Sequence, residues 1–312
     1  MMRRSGLFAA AGLALTLALP SPAFAAKVTL LYTAVSALIG SFVAKDQGYF
    51  EKHGIDVEPT LVSNGSVIVA ALTSNTAQIG APTPTVLLPA VDAGLDLVIV
   101  NGCDVYPTSS KSGVIARTGS GIQGAKDLSG KKIGVPGLSG IIDVLTKKWV
   151  QSNGLDYRKA TWVEVGFPVM GEALKTGSVD AVASVDPFYS RVIEGGLGTR
   201  IGDYGAIVPA GTSPVNYVAT RDWTVKNPET VKAFRAAMND AVAFINDKAN
   251  EAAVRESLIK YTKLPPQVAA GIALPNNLTN QMTPGAISFW VELAAEQGII
   301  KKKIDPARLI AP

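Results

Sequence analysis

The sequence predicts an α/β fold of two lobes with a cleft between them and a helical C-terminal segment. Three observations lead there. Short β-rich runs alternate with helical segments through most of the 312 residues, the pattern of layered α/β domains. The alternation falls into two series of similar size with no fixed period, which argues for two lobes rather than a repeat array. After Thr220 the pattern turns mostly helical. A chain that crosses twice between lobes would bring those last helices back to the first lobe.

The first 25 residues stand apart from this pattern. Met1-Met2-Arg3-Arg4 is a short positive region, Gly6 to Leu19 is apolar, and Ala23-Phe24-Ala25 places small residues where a signal peptidase reads. This is the three-part layout of a secretory signal, and the apolar run is short for a membrane span. Cleavage is expected after Ala25.

In the first series, strands are expected at 27–33, 55–61, 77–80 and 95–100, with helices at 40–53, 66–73 and 85–93. Gly54 and Gly94 supply the helix stops. The last strand is an apolar run bounded by Asn101-Gly102, as in a buried parallel strand. The second series carries strands at 112–117, 132–135, 161–165, 180–185 and 200–203, with helices at 139–152, 168–175 and 186–193. A strand at 215–220 follows, then helices at 228–246, 251–261 and 284–297. Asn227 is placed to cap the longest of these, with Pro228 at its first position. The crossings fall near 104–114 and 205–218. Lobe 1 is then 26–110 with 215–312, and lobe 2 is 111–214.

Composition excludes several function classes. At 47% hydrophobic and 17% charged residues, the chain is globular rather than disordered. The densest basic run is Lys301-Lys302-Lys303, a solvated helix end rather than a nucleic-acid patch. One cysteine, Cys103, excludes an intrachain disulfide and reads as a small packed residue near the crossing. The one histidine, His53, reads as a solvated helix-end residue. With His and Cys single and far apart, a His/Cys metal site or a Cys–His nucleophile pair has little to build on. Gly134 to Gly140 lacks the Lys-Ser/Thr of a phosphate loop, and Gly119-Ser120-Gly121 lacks a dinucleotide pattern. No catalytic residue, metal or cofactor is expected.

The strand-to-helix junctions are where such lobes bind ligands. Here they are rich in small and hydroxyl residues: Thr33 to Ser36, Ser63 to Ser66, Gly80 to Thr85, Gly137 to Gly140, Gly166-Phe167-Pro168 and Asp186-Pro187-Phe188. Small residues let backbone amides approach a guest, and helix-start N–H groups await acceptors. Ordinary helix capping explains many such junctions taken singly.

A resemblance extends this reading. The segment Asp46 to Val57, DQGYFEKHGIDV, resembles one found in periplasmic substrate-binding proteins of the nitrate/sulfonate/taurine type, a superfamily shared with pyrimidine-precursor binders. Ala77 to Gly80, Asp127 to Val135, Val179 to Val182 and Lys226 to Glu229 match further segments in family order. The resemblance implies the type II periplasmic-binding fold: two α/β lobes, two crossover strands, a ligand in the cleft, and C-terminal helices packed on lobe 1. It implies a periplasmic location, an ATP-binding-cassette importer as partner, no enzymatic activity and a monomer. Carried onto this sequence, ligand contacts are expected from Tyr32, Ser36, Asn64, Ser66, Thr83, Ser139, Phe167, Asp186 and Tyr217. The cleft positions that the resemblance implies also include the crossover residues Asn101 to Asp104 and Asn216-Tyr217. Ser and Asn would hydrogen-bond polar ligand atoms, and the aromatic rings would offer stacking surface. Tyr32 and Phe167 fit core positions at strand ends equally well, and Asp186 fits a helix cap.

The junctions carry no Arg or Lys. An oxyanion such as a sulfonate or nitrate and a neutral aromatic or heterocyclic ligand therefore both stand. Two other classes stand beside transport: an enzyme on the same fold, such as a pyrimidine-synthesis or lyase relative, and a sensor that reports to a membrane receptor.

Overall fold

The computed structural model describes residues 26–103, 111–274, 280 and 282–312. The expected signal segment and residues 104–110 of the first crossing lie outside the described residues.

The first series builds strands β1 (Ala26–Tyr32), β2 (Ile55–Leu61), β3 (Ile79–Gly80) and β4 (Leu97–Asn101). With them come helices α1 (Ile39–Asp46), α2 (Tyr49–Lys52), α3 (Gly65–Thr73) and α4 (Pro84–Asp92). The second builds β5 (Ser112–Arg117), β6 (Lys132–Val135), β7 (Thr161–Glu164), β8 (Ala181–Val185) and β9 (Gly198–Gly202). Its helices are α5 (Ile141–Ser152), α6 (Met170–Lys175) and α7 (Phe188–Glu194). Strand β10 (Tyr217–Thr220) follows, then α8 (Arg221–Lys226), α9 (Pro228–Asn246), α10 (Glu251–Thr262), α11 (Pro266–Gly271) and α12 (Pro284–Glu296).

The strands form two five-stranded sheets, ordered β2-β1-β3-β10-β4 and β7-β6-β8-β5-β9. In the first, β10 runs antiparallel to both neighbours, β3 and β4, while β1 pairs parallel with β2 and β3. In the second, β5 is the antiparallel strand, between β8 and β9. Each sheet thus receives one strand directly after a crossing, and that strand runs against the rest. This is a two-lobed α/β fold with helices on both faces of each sheet.

Two-sided burial explains the apolar strands. On one face of the first sheet, Leu30, Phe42, Phe50 and Phe234 form a core under α1, α2 and α9. On the other, Ile68, Leu72, Leu87 and Trp290 pack under α3, α4 and α12. The C-terminal helices therefore return to the first lobe, as the sequence led us to expect. Arg235 fixes the end of the chain there: Nε donates to Val100 O at 2.7 Å and Nη2 to Ala311 O at 2.9 Å.

The chain interrupts the single helix expected at 40–53. Gly48 takes φ 69°, in the left-handed region, and divides α1 from α2. A residue without Cβ adopts that conformation at little cost. Helix α8 has no counterpart in the sequence reading; Thr220 Oγ1 caps it by accepting from Trp223 N at 3.3 Å. In the second lobe, a Cβ on Gly202 would stand 1.9 Å from Trp149 Cζ2. Glycine there lets α5 lie close on the sheet.

Helix α12 also touches the second series. Trp290 Nε1 donates to Ser213 O at 2.8 Å, and Ser213 N donates to Ala286 O at 3.0 Å. Gln297, just past α12, donates from Nε2 to Val144 O at 2.8 Å, and Lys148 Nζ meets Glu296 Oε2 at 2.5 Å.

Candidate functional site

The carboxyl ends of the parallel strands define one end of each sheet. In the first sheet these are the residues after Tyr32, Leu61, Gly80 and Asn101. In the second they are the residues after Val135, Glu164 and Val185. The antiparallel strands bring two further segments to the same ends. Val218 pairs with Gly80 and Tyr217 with Asn101, so Asn216 stands at this same end of the first sheet. Ser112 pairs with Val185, so Lys111 stands at this same end of the second; Asp186 N donates to its carbonyl at 2.8 Å.

Several expected contacts lie at these ends with polar atoms exposed or half-buried. Ser36 is half-buried in the turn before α1, and Ser66 is exposed in the first turn of α3. Asn64 is exposed, and its side chain already caps α3 by accepting from Val67 N at 3.1 Å. Thr83 precedes α4, its hydroxyl 3.1 Å from that of Thr85. Ser139 is exposed and holds φ 60°, with its N–H donating to Asp143 Oδ2 at 2.7 Å.

Phe167 and Phe188 stack with centroids 5.1 Å apart and planes at 10°. Both rings are half-buried, at the ends of β7 and β8. Large exposed apolar residues gather at the same ends: Leu61 and Val67 in the first lobe, Leu138 and Val169 in the second. Leu61 ends β2, Val67 follows it and Val169 follows β7, the two edge strands farthest from the crossings, while Leu138 follows β6.

Three of the expected contacts already have partners inside the protein. Tyr32 and Tyr217 belong to the core of the first lobe. Tyr32 is buried against Phe42 and its hydroxyl donates to Tyr261 O at 2.9 Å. Tyr217 is fully buried, edge-on to Phe234, and its hydroxyl donates to Leu38 O at 3.4 Å. Burial holds the Tyr217 phenol well above its usual range. Neither ring offers a face to a guest in this arrangement. Asp186 is a helix cap: Oδ1 accepts from Ser190 N at 3.0 Å and from Ser190 Oγ at 2.6 Å.

Two buried polar side chains at these ends keep atoms without partners among the described residues. Asn216 is 0% exposed, and among the described residues neither its Oδ1 nor its Nδ2 has a hydrogen-bond partner. Asp143, in the first turn of α5, is 0% exposed; Oδ2 serves Ser139 N and Lys147 Nζ, while Oδ1 has no partner. Buried polar groups are normally paired, so each such atom calls for an explanation.

Sequence reasoning placed Asn216 among the cleft positions of the crossover region but not among the chosen contacts. It missed Lys111 and Asp143. Lys111 reaches the site only through long-range antiparallel pairing, which no local pattern signals. Asp143 is one of many acidic residues in first helical turns.

His53 stands just before β2, at the opposite end of the sheet, where Nε2 lies 2.9 Å from Asp240 Oδ2. Among the described residues no group of three or more His, Cys, Asp and Glu could hold a metal ion. No described helix is long and apolar enough to cross a membrane.

This architecture is the two-lobed type II fold of periplasmic binding proteins. The chain is similar in structure to the aliphatic sulphonate binding protein SsuA from Escherichia coli, with TM-score 0.76 and 22% identity over 91% of this chain and 97% of that one. The family model described as NMT1/THI5 like matches residues 36–252, and the chain belongs to that family. A protein of Brucella abortus, named for binding, is 26% identical over 98% of this chain and 96% of its own length. A more partial relative is the 4-amino-5-hydroxymethyl-2-methylpyrimidine phosphate synthase of Schizosaccharomyces pombe. It is 25% identical over 64% of this chain and 59% of its own length.

Proposed function

We propose that this chain is a periplasmic solute-binding protein. It is exported by residues 1–25 and acts as a monomer. It holds one small organic molecule between lobe 1 (26–110 and 215–312) and lobe 2 (111–214), and passes that molecule unaltered to an ATP-binding-cassette importer. The observation that carries this reading is the pair of unpartnered buried groups, Asn216 in one lobe and Asp143 Oδ1 in the other, at the ligand ends of the two sheets. Each lobe supplies part of a contact set, and closure joins the parts around the guest.

The Escherichia coli and Brucella relatives support a binding role. The Schizosaccharomyces relative is an enzyme, and the chain spans little more than half of it. Placement of the single histidine away from the ligand ends argues against histidine-based turnover. A receptor-coupled sensor would use the same ligand site with another membrane partner.

Native mass spectrometry of the mature protein purified from periplasm tests the proposal. The expected spectrum shows a one-to-one adduct with a small molecule that is recovered at unchanged mass after prolonged incubation. A recovered molecule of altered mass would establish an enzyme instead.

A further inference from the structure

We propose that α12 sets the angle between the lobes before any guest arrives, with Gln297 and the Lys148–Glu296 pair as the positioning residues that hold lobe 2 to it. The inference rests on the binding-protein reading above for what that angle serves, and it concerns the unloaded protein.

Helix α12 belongs to lobe 1, where Trp290 shares a core with Ile68, Leu72 and Leu87. Its first half also holds the second crossing. Trp290 Nε1 donates to Ser213 O, and Ser213 N donates to Ala286 O. Trp290 and Ser213 are each 1% exposed, so water does not compete for these bonds. They fix Ser213 to lobe 1, and that crossing can bend only on the lobe 2 side of it. With this anchor alone, lobe 2 could swivel about Ser213.

A second anchor removes that freedom. Gln297 Nε2 donates to Val144 O in α5 at 2.8 Å. One turn further along α5, Lys148 Nζ meets Glu296 Oε2 at 2.5 Å. A helix rises about 1.5 Å per residue, which places these contacts about 10–15 Å from the first set. Lobe 2 can turn about Ser213 only by breaking them. Beside Glu296 lies a cavity of about 330 Å³ whose other lining residues, Gln151, Tyr157 and Arg158 among them, belong to lobe 2. It gives Glu296 room to withdraw.

Neither contact is needed to hold a lobe together. Val144 O lies inside α5, where the helix supplies a donor four residues on. Lys148 and Glu296 keep 29% and 34% of their side-chain surface exposed, and an ion pair so placed adds little to folding. The two contacts act instead on the lobe angle. Exchanging both for water shifts a two-state balance by about tenfold.

Distances between two spin labels, read by pulsed electron paramagnetic resonance, test the inference on mature protein unfolded, dialysed free of small molecules and refolded. The labels sit on Thr60→Cys in β2 and Glu164→Cys in β7, both exposed positions, with Cys103→Ala removing the native thiol. The parent protein is expected to give one narrow distribution. Lys148→Glu, which sets two carboxylates together, and Gln297→Ala are each expected to shift and broaden it while the melting temperature stays near the parent's. Adding Glu296→Lys to Lys148→Glu reverses the pair and is expected to restore the narrow distribution, a rescue that a merely structural role would not give. A broad distribution in the parent, an unmoved one in either single variant, or a reversal that restores nothing would overturn the inference. If Lys148→Glu fails to fold, Gln297→Ala decides alone. A small-molecule adduct in the native spectrum with unmoved labels would leave the binding role standing and end the inference. Labels that move as expected, with no adduct, would do the reverse.

Discussion

Replacing Asp143 by alanine should loosen the loop that carries Ser139 and destabilise lobe 2 by about 2–3 kcal/mol. Breaking a buried ion pair by removing one partner costs about 3–5 kcal/mol. Two features reduce that figure here. Lys147 keeps 18% of its side-chain surface exposed, and its ammonium lies 5.2 Å from the Trp162 ring centroid. The orphaned cation thus retains some solvation and a ring face. The substitution also removes Oδ1, an unmet acceptor whose burial costs about 1 kcal/mol or more. Set against these, Ser139 N loses its 2.7 Å acceptor, which leaves the Gly140 N to Gly137 O bond at 3.2 Å to hold the turn. Asp143→Asn keeps an acceptor for Ser139 N and should cost about half as much. Urea unfolding, followed by tryptophan fluorescence, measures both. An Asp143→Ala protein within about 0.5 kcal/mol of the wild type, inside ordinary surface-mutation scatter, would refute this account of the loop.

Three further outcomes follow from the packing and charges. Gly202→Ala should lower the melting temperature sharply, because its Cβ would collide with Trp149 at 1.9 Å; pairing it with Trp149→Phe should recover part of the loss. Trp290→Ala should cost about 3–5 kcal/mol in urea, since it empties a core position and strands the Ser213 carbonyl that Trp290 Nε1 now meets at 2.8 Å. The Asp240 carboxyl is held below its usual range by hydrogen bonds from Lys52 and then His53. A depressed folded-state pKa gives stability that is present above the unfolded value and lost as pH falls through the folded one. The wild type should therefore lose its melting-temperature advantage over Asp240→Asn as pH drops below about 4. An advantage that persists through pH 2 would contradict that pairing.

Much of the architecture was legible because it depends on local pattern. Apolar runs bounded by glycine and asparagine gave β4 and its neighbours, and Asn227-Pro228 gave the start of α9. The break at Gly48 was not legible: glycine is tolerated in a helix, and only the packing of Phe50 under α9 decides that the chain turns there. The site was legible as a set of junctions and not as a set of side chains. Tyr32 and Tyr217 look like ligand-facing aromatics at strand ends, but Phe234 of α9 and Tyr261 of α10, distant in sequence from Tyr32, close the core around them. Asp186 and Asn64 proved to be caps, the ordinary use of such residues before helices. The unmet amide of Asn216 could not be read from sequence, since being unpartnered depends on every element around it.

The central claim is that two lobes close around a guest, and solution scattering tests it most directly. The mature protein as purified from periplasm should be compared with the same protein unfolded, dialysed free of small molecules and refolded. The guest-loaded form should have the smaller radius of gyration, and adding back the released molecules should restore it. Equal radii for a loaded and a stripped sample, with mass spectra confirming both states, would contradict the account.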